Sequence, residues 1–320
     1  LTILLKNMKN LFKLAYKVCI CIIFLVFINI LFIHTNFWKN QNDVYKFSKL
    51  PDNITLINLG SSHGQSDFNY SDCTDVTAYN FALSAQPFYY DLQILKQYHK
   101  KLKQNAVVII PVSYFSFYQT TAEFEAIKLR YYRVLPNKYI IGADLLEDFK
   151  YSVFPISSQG RFIHRIVKDI PASEATFCTS ELQQKIVCAD GIDFVAKTKL
   201  SDRFSLNRQT VSEEEFNLNY NSFIELLDFC TEHNYKVVLV TTPLTNELYT
   251  LFSQEYLAEF KDILSGALKP YAQIEYWDYA QYQPISSNLA FFRDADHLND
   301  KGALEFTGII ISRLREKQYL

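Results

Sequence analysis

The chain has 320 residues, 49% of them hydrophobic, enough to fill the core of one large domain or of a domain carrying an insertion. A formal net charge of −2 argues against a nucleic-acid surface as its main business. Phe (26) and Tyr (22) are abundant and Gly (8) is scarce, which excludes low-complexity and collagen-like classes.

Residues 1–37 read as a cytoplasmic N-terminus and a transmembrane anchor. Residues 18–33 hold no acidic or basic side chain and one amide, Asn29. With flanking Leu14, Ala15 and Tyr16 and the residues up to Phe37, the run approaches the roughly 20 residues that a bilayer core requires. Lys6, Lys9, Lys13 and Lys17 precede it and no acidic residue does, so the positive-inside rule keeps this end cytoplasmic and exports the residues beyond the anchor. Trp38 stands where an interfacial aromatic would. A cleaved signal peptide and a buried core helix are the rival readings; the run is long for the first, and no small-x-small cleavage site comes after it.

Residues 38–53 are polar and read as a stalk. Beyond them, 54–320 alternate short apolar runs with helical patterns. Strands are expected at 54–59, 76–82, 106–112, 235–242 and 273–279, and helices at 86–102, 213–233, 246–268 and from Asp300 onward. Ala106 to Val112 is apolar without interruption, as in a strand buried on both faces. Ser212 stands as N-cap before three glutamates. Strands alternating with helices predict a parallel sheet covered on both sides. Residues 114–211 break that rhythm with Pro136, Pro155, Pro171 and the basic aromatic run Arg130, Tyr131, Tyr132, Arg133, and read as an inserted cap region. Of the six cysteines, Cys19 and Cys21 lie in the anchor. Cys73, Cys178, Cys188 and Cys230 lie where disulfides form, with Cys178–Cys188 favoured by proximity and three connectivities open. No cysteine spacing suits a structural zinc site, and no metal or cofactor is expected.

Two stretches carry chemistry. Ile57-Asn58-Leu59-Gly60-Ser61-Ser62 places Ser62 after the first strand, at the carboxyl end of a parallel sheet, where open α/β proteins bind ligands. Gly60 permits the tight turn, and a following helix would aim N–H groups at the site. Far downstream, Asp294 and His297 stand three residues apart between the last strand and the last helix. An imidazole held by a carboxylate on one nitrogen can take a serine proton on the other, so Ser62, Asp294 and His297 form a candidate triad. Asp296 is the weaker acid candidate, because adjacent side chains normally point apart. His63 is expected to face away for the same reason. Arg130 and Arg133 are candidate contacts for an acidic glycan.

Gly-x-Ser after strand one, Asp-x-x-His before the last helix and five β/α units resemble the SGNH/GDSL hydrolase superfamily. The likeness is nearest to its exported, membrane-anchored branch, which includes the alginate O-acetylation proteins and the D-alanyl transfer protein of teichoic-acid modification. It covers about 53–113 and 213–318. Tyr79-Asn80-Phe81-Ala82-Leu83-Ser84-Ala85-Gln86 is similar to the second block of that family, and 235–243 to its fourth strand. The resemblance implies a three-layer, flavodoxin-like sheet of five parallel strands. It also implies Ser62 as nucleophile and an oxyanion hole from Ser62 and Ala85. Two departures stand out: Ala85 replaces the glycine of the second block, and Ser113 or Tyr114 stands in place of the third-block asparagine, so Ser113 is the candidate third donor.

The expected function is a serine esterase or O-acyltransferase acting on a cell-envelope glycan or acyl ester, in the transferase case supplied by a polytopic membrane acyltransferase. The alternative is a catalytically weak glycan-binding or envelope-assembly module that retains the pocket.

Overall fold

The computed structural model describes residues 2–35, 38, 43–155 and 208–320. They fall into two units: one takes 2–35, 38, 43–49, 129–136 and 143–155, the other 50–128, 137–142 and 208–320. In the first unit, helix α1 (Thr2–Ile33) contains a 26-residue stretch, Met8–Ile33, with a mean hydropathy of 2.7, long and apolar enough to cross a membrane. Most of its apolar side chains are exposed, including Phe12, Ile23 and Phe24, the reverse of a soluble core helix. Past its end Trp38 packs edge-on against Phe32, ring centroids 5.1 Å apart. Within the polar stretch beyond Trp38, Asp43–Ser48 forms a short helix, α2. Helix α6 (Leu145–Val153) also belongs to this unit. Arg130, half-buried, and Arg133, exposed, lie here too, with Arg130 close enough to Asp43 to stabilise its charge.

The second unit holds a sheet of five parallel strands in the order β2-β1-β3-β4-β5: β1 Ile54–Asn58, β2 Ala78–Asn80, β3 Leu102–Pro111, β4 Lys236–Thr241 and β5 Glu275–Asp278. This is the flavodoxin-like arrangement, three layers deep. On one face Leu56, Val107, Ile109, Val238, Val240 and Trp277 pack with Ala303, Phe306, Ile310 and Leu314 of the last helix, α11 (Asp300–Glu316). Period-two alternation sends the intervening strand residues to the other face. There α4 (Phe88–Tyr98) and α7 (Glu213–Glu232) pack together, with the Phe88 and Phe223 rings 4.7 Å apart. α7 starts where its capping box predicts, Ser212 and Glu215 exchanging hydrogen bonds.

Several boundaries differ from the sequence pattern. β2 is only three residues long, and β3 begins at Leu102 rather than Ala106. The expected helix 246–268 is two: α8 (Asn246–Tyr249) and α9 (Gln254–Leu268). Thr245 caps the first and Ser253 the second, each accepting from a backbone N–H three residues on, so two cap signals outweigh one apolar period. Short helices α3 (Ser62–Asp67), α5 (Thr121–Ala126) and α10 (Gln283–Ser286) complete the α-helices among the described residues. Cys73 and Cys230 are free thiols, Cys230 buried on α7. The expected Cys178–Cys188 bridge and most of the expected cap region lie outside the described residues.

Candidate active site

In this strand order the chain reverses its winding between β1 and β3, and the crevice at their carboxyl ends is where such folds take ligands. β1 ends there in a turn built for close packing. Gly60 has φ +109°, and a side chain at that position would press on the Pro111 ring at 3.1 Å. The Gly60 N–H donates to the Asp91 carboxylate at 2.7 Å, and Gln86 donates to the same oxygen. Burial pushes the Asp91 carboxyl up to about 7, against those two donors. Ser61 is the N-cap of α3 and Ser62 its first residue. The carbonyls at the end of α3 are held by amides on the neighbouring strands: Asn58 Nδ2 donates to Gly64 O at 2.8 Å, and Asn80 Nδ2 donates to Gly64 O and Phe68 O. Polar side chains at the ends of apolar strands thus fix the helix that carries Ser62.

The second loop, 292–299, is pinned from both sides. Phe292 and Leu298 form an antiparallel bridge, and Arg293 N–H donates to His297 O. Asp294 accepts from the backbone N–H of Asp296 and of His297, closing a tight turn. That turn brings the Asp294 carboxylate to His297 Nδ1, at 2.9 and 3.0 Å to its two oxygens. Nε2 of the same ring is buried and has no hydrogen-bond partner among the described residues.

The two loops meet. Leu298 N–H donates to Asp67 at 2.9 Å and Arg293 Nη2 donates to Ser66 Oγ at 3.1 Å, tying this second loop to α3. The rings of His63 and His297 stand edge to face, 5.0 Å apart. His63 therefore points inward, contrary to the expectation that it would face away. Its Nδ1 lies 2.7 Å from Ser113 Oγ and its Nε2 3.3 Å from Asp296 Oδ2. Asp296 also departs from the expectation set by adjacency: its other oxygen lies 3.1 Å from His297 Nδ1. One buried carboxylate thus bridges two imidazoles, and a second Ser–His–Asp chain, Ser113–His63–Asp296, runs beneath the surface pair.

This arrangement sets the charges. Burial opposes protonation of His297, but Asp296 and Asp294 outweigh it and raise the imidazole to about 10. Burial likewise opposes charge on Asp296, yet His297 and His63 hold its carboxyl well below the usual carboxylate range. Asp67, fully buried, is shifted upward by burial, with His63 and His297 opposing. His63, Asp296 and His297 each offer a donor atom within 4.8 Å of the others, a spacing that a metal ion could bridge, although the three already engage one another. The expectation of no metal rested on cysteine spacing and did not address this group.

Among the described residues, the half-buried Ser62 makes no hydrogen bond to His297, although the elements that carry the two are locked together. Ala85 is exposed and takes φ +59°, a left-handed conformation that suits glycine. The Ser113 hydroxyl is engaged by His63, and its N–H donates to Ser116 Oγ. Arg130 and Arg133 belong to the first unit. Sequence reasoning missed the inward roles of His63, Asp296 and Asp67. For His63 and Asp296 the signal available was adjacency to Ser62 and His297; Asp67, five residues past Ser62, offered none.

No protein-family model matches the chain, and no curated protein matches it significantly. Distant likenesses exist among solved structures. A candidate acylhydrolase from Bacteroides fragilis is 11% identical with a TM-score of 0.42, covering 88% of this chain and 99% of that one. A candidate platelet activating factor from Streptococcus pneumonia is 10% identical with a TM-score of 0.42, covering 94% and 99%. A GDSL-like lipase from Bacteroides thetaiotaomicron is 9% identical with a TM-score of 0.37, covering 82% and 88%. Likenesses this weak do not place the chain in a family.

Proposed function

We propose that the chain is a serine-dependent esterase or O-acyltransferase of the SGNH type, held at a membrane by α1. The observation that supports it most is the state of His297. Its Nδ1 is held by Asp294, its Nε2 is uncommitted, and its loop is tied to the helix that begins with Ser62. In the reaction His297 Nε2, once neutral, takes the Ser62 proton while the hydroxyl oxygen bonds to an acyl carbonyl carbon. Asp294 stabilises the resulting imidazolium. The N–H groups of Ser62 and Ala85 hold the oxyanion. Collapse of the tetrahedral adduct expels the alcohol, which recovers its proton from Nε2 and leaves an acyl-Ser62. Water then yields the acid, and a sugar hydroxyl would yield a new ester. Asp296, with His63 and Ser113 behind it, brings a second carboxylate to the same Nδ1.

The substrate we favour is an acyl ester on a cell-envelope glycan. Lys6, Lys9, Lys13 and Lys17, in the first half of α1 ahead of its uncharged run, support a cytoplasmic N-terminus, with the catalytic unit on the far side of the membrane. That placement suits an acyl supply from a polytopic membrane acyltransferase. Arg130 and Arg133 are the proposed contacts to an acidic polymer. Purified full-length chain in detergent should hydrolyse p-nitrophenyl acetate and react with a fluorophosphonate at Ser62. Ser62→Ala should abolish both, and hydrolysis that survives the substitution would remove Ser62 from the mechanism.

A further inference from the structure

Helix α6 is built inside out. Asp144 caps its start, accepting from Leu146 N–H at 2.7 Å and Glu147 N–H at 3.0 Å. Leu145, Leu146, Phe149 and Val153 then fall within an arc of roughly 100° on one side. A helix of a soluble domain would bury that side. Here Leu145 is 77% exposed, Leu146 71% and Phe149 63%. The polar side faces the unit instead: Glu147 accepts a hydrogen bond from the buried Tyr132 hydroxyl, and Tyr151 packs near Trp38, ring centroids 6.4 Å apart. An apolar face turned outward while a glutamate is turned inward calls for an apolar medium outside.

The position of α6 says which medium. Its last carbonyl, Val153 O, accepts a hydrogen bond from Asn29 Nδ2 of α1 at 3.1 Å. Asn29 stands four residues before Ile33, the end of α1, or about 6 Å into the helix. Interfacial helices bury their apolar face to about that depth, ~5–10 Å into the boundary of headgroups and acyl chains. Val26, Phe27 and Ile30, within three residues of Asn29 on α1, are exposed as well. Glu147, Asp148 and Lys150 give the helix no cationic face, so apolar burial rather than attraction to anionic lipid would hold it.

We propose that α6 lies in the membrane interface at the Ile33 end of α1, with Leu145, Leu146, Phe149 and Val153 among the lipid acyl chains. The proposal rests on α1 spanning a membrane and is independent of the hydrolase reading. The test is Phe149→Trp in the full chain, reconstituted into vesicles of phosphatidylcholine alone. Wild type, which has Trp38 and Trp277, supplies the background. Acyl-chain-brominated phosphatidylcholine should reduce the added emission at least twofold, and aqueous iodide should leave it unchanged. Quenching by iodide and not by brominated lipid would place the face in water. Shielding from both would place protein over it, a second copy of the chain included. A requirement for phosphatidylglycerol would overturn the apolar basis. Each of these three results refutes the proposal. Retention of the chain in carbonate-washed vesicles reports the insertion of α1 separately, and the esterase assay reports Ser62.

Discussion

Removing one buried negative charge should make the proposed enzyme faster at neutral pH. With its imidazole raised to about 10, only about one His297 in a thousand is neutral at pH 7, so the proposed base is mostly occupied by a proton. Asp296 and Asp294 together hold that proton, but only Asp294 is required to orient Nδ1. A unit charge at this range is worth about 4 kcal/mol at the effective dielectric of a protein site. Asp296→Asn should lower the pH at which His297 loses its proton and raise kcat/KM at pH 7 by roughly 10- to 100-fold, with the remainder of the elevation left to Asp294. The assay is a pH–rate profile of activated-ester hydrolysis, paired with the pH dependence of fluorophosphonate labelling. Wild-type activity should climb about tenfold per pH unit toward pH 10, and the variant should level off earlier. An identical inflection in both proteins, or a wild-type inflection near 6.5, would refute the reasoning. Stability gives an independent trace. A histidine raised from 6.5 to about 10 stabilises the fold fully below pH 6.5 and loses that contribution as pH rises to 10, an effect of up to about 5 kcal/mol. Urea denaturation at the two ends of that window should show a smaller loss in Asp296→Asn than in wild type.

Asp294→Asn removes the carboxylate that fixes the tautomer of His297, so kcat/KM for ester hydrolysis should fall roughly 10³- to 10⁴-fold with the fold intact by circular dichroism. Ala85→Gly relieves a left-handed alanine, which costs about 1–2 kcal/mol, and returns part of that to unfolded-chain entropy. A net stabilisation of about 0.5–1 kcal/mol in chemical denaturation is expected, with hydrolysis retained.

The sheet was readable from sequence because strands covered on both faces must be apolar along their whole length, as Val107 to Ile110 are. Asp294 and His297 were readable because a three-residue turn brings the two side chains together without help from the rest of the fold. His63 and Asp296 were not. Their directions are set by where α3 starts and by the bridge between Phe292 and Leu298, both consequences of packing against elements distant in the chain. The left-handed Ala85 was hidden for a related reason: alanine gives no signal for that conformation, and only the family resemblance marked the position. The break between α8 and α9 was visible in principle as Ser253, a cap signal that the apolar spacing of 246–268 obscured.

β3 and β4 lie side by side, with Pro111 opposite Val240, although the chain makes an excursion of more than a hundred residues between them. Bringing the ends of so long a segment together is entropically modest. Lengthening a connection fivefold, from the scale of an ordinary β/α crossover, adds only about 1.4 kcal/mol. The kinetic consequence is larger, since central strands that must find each other across such a distance delay completion of the sheet. Evolution can therefore vary that excursion freely in length and composition at little equilibrium penalty, while the speed of assembly carries the burden.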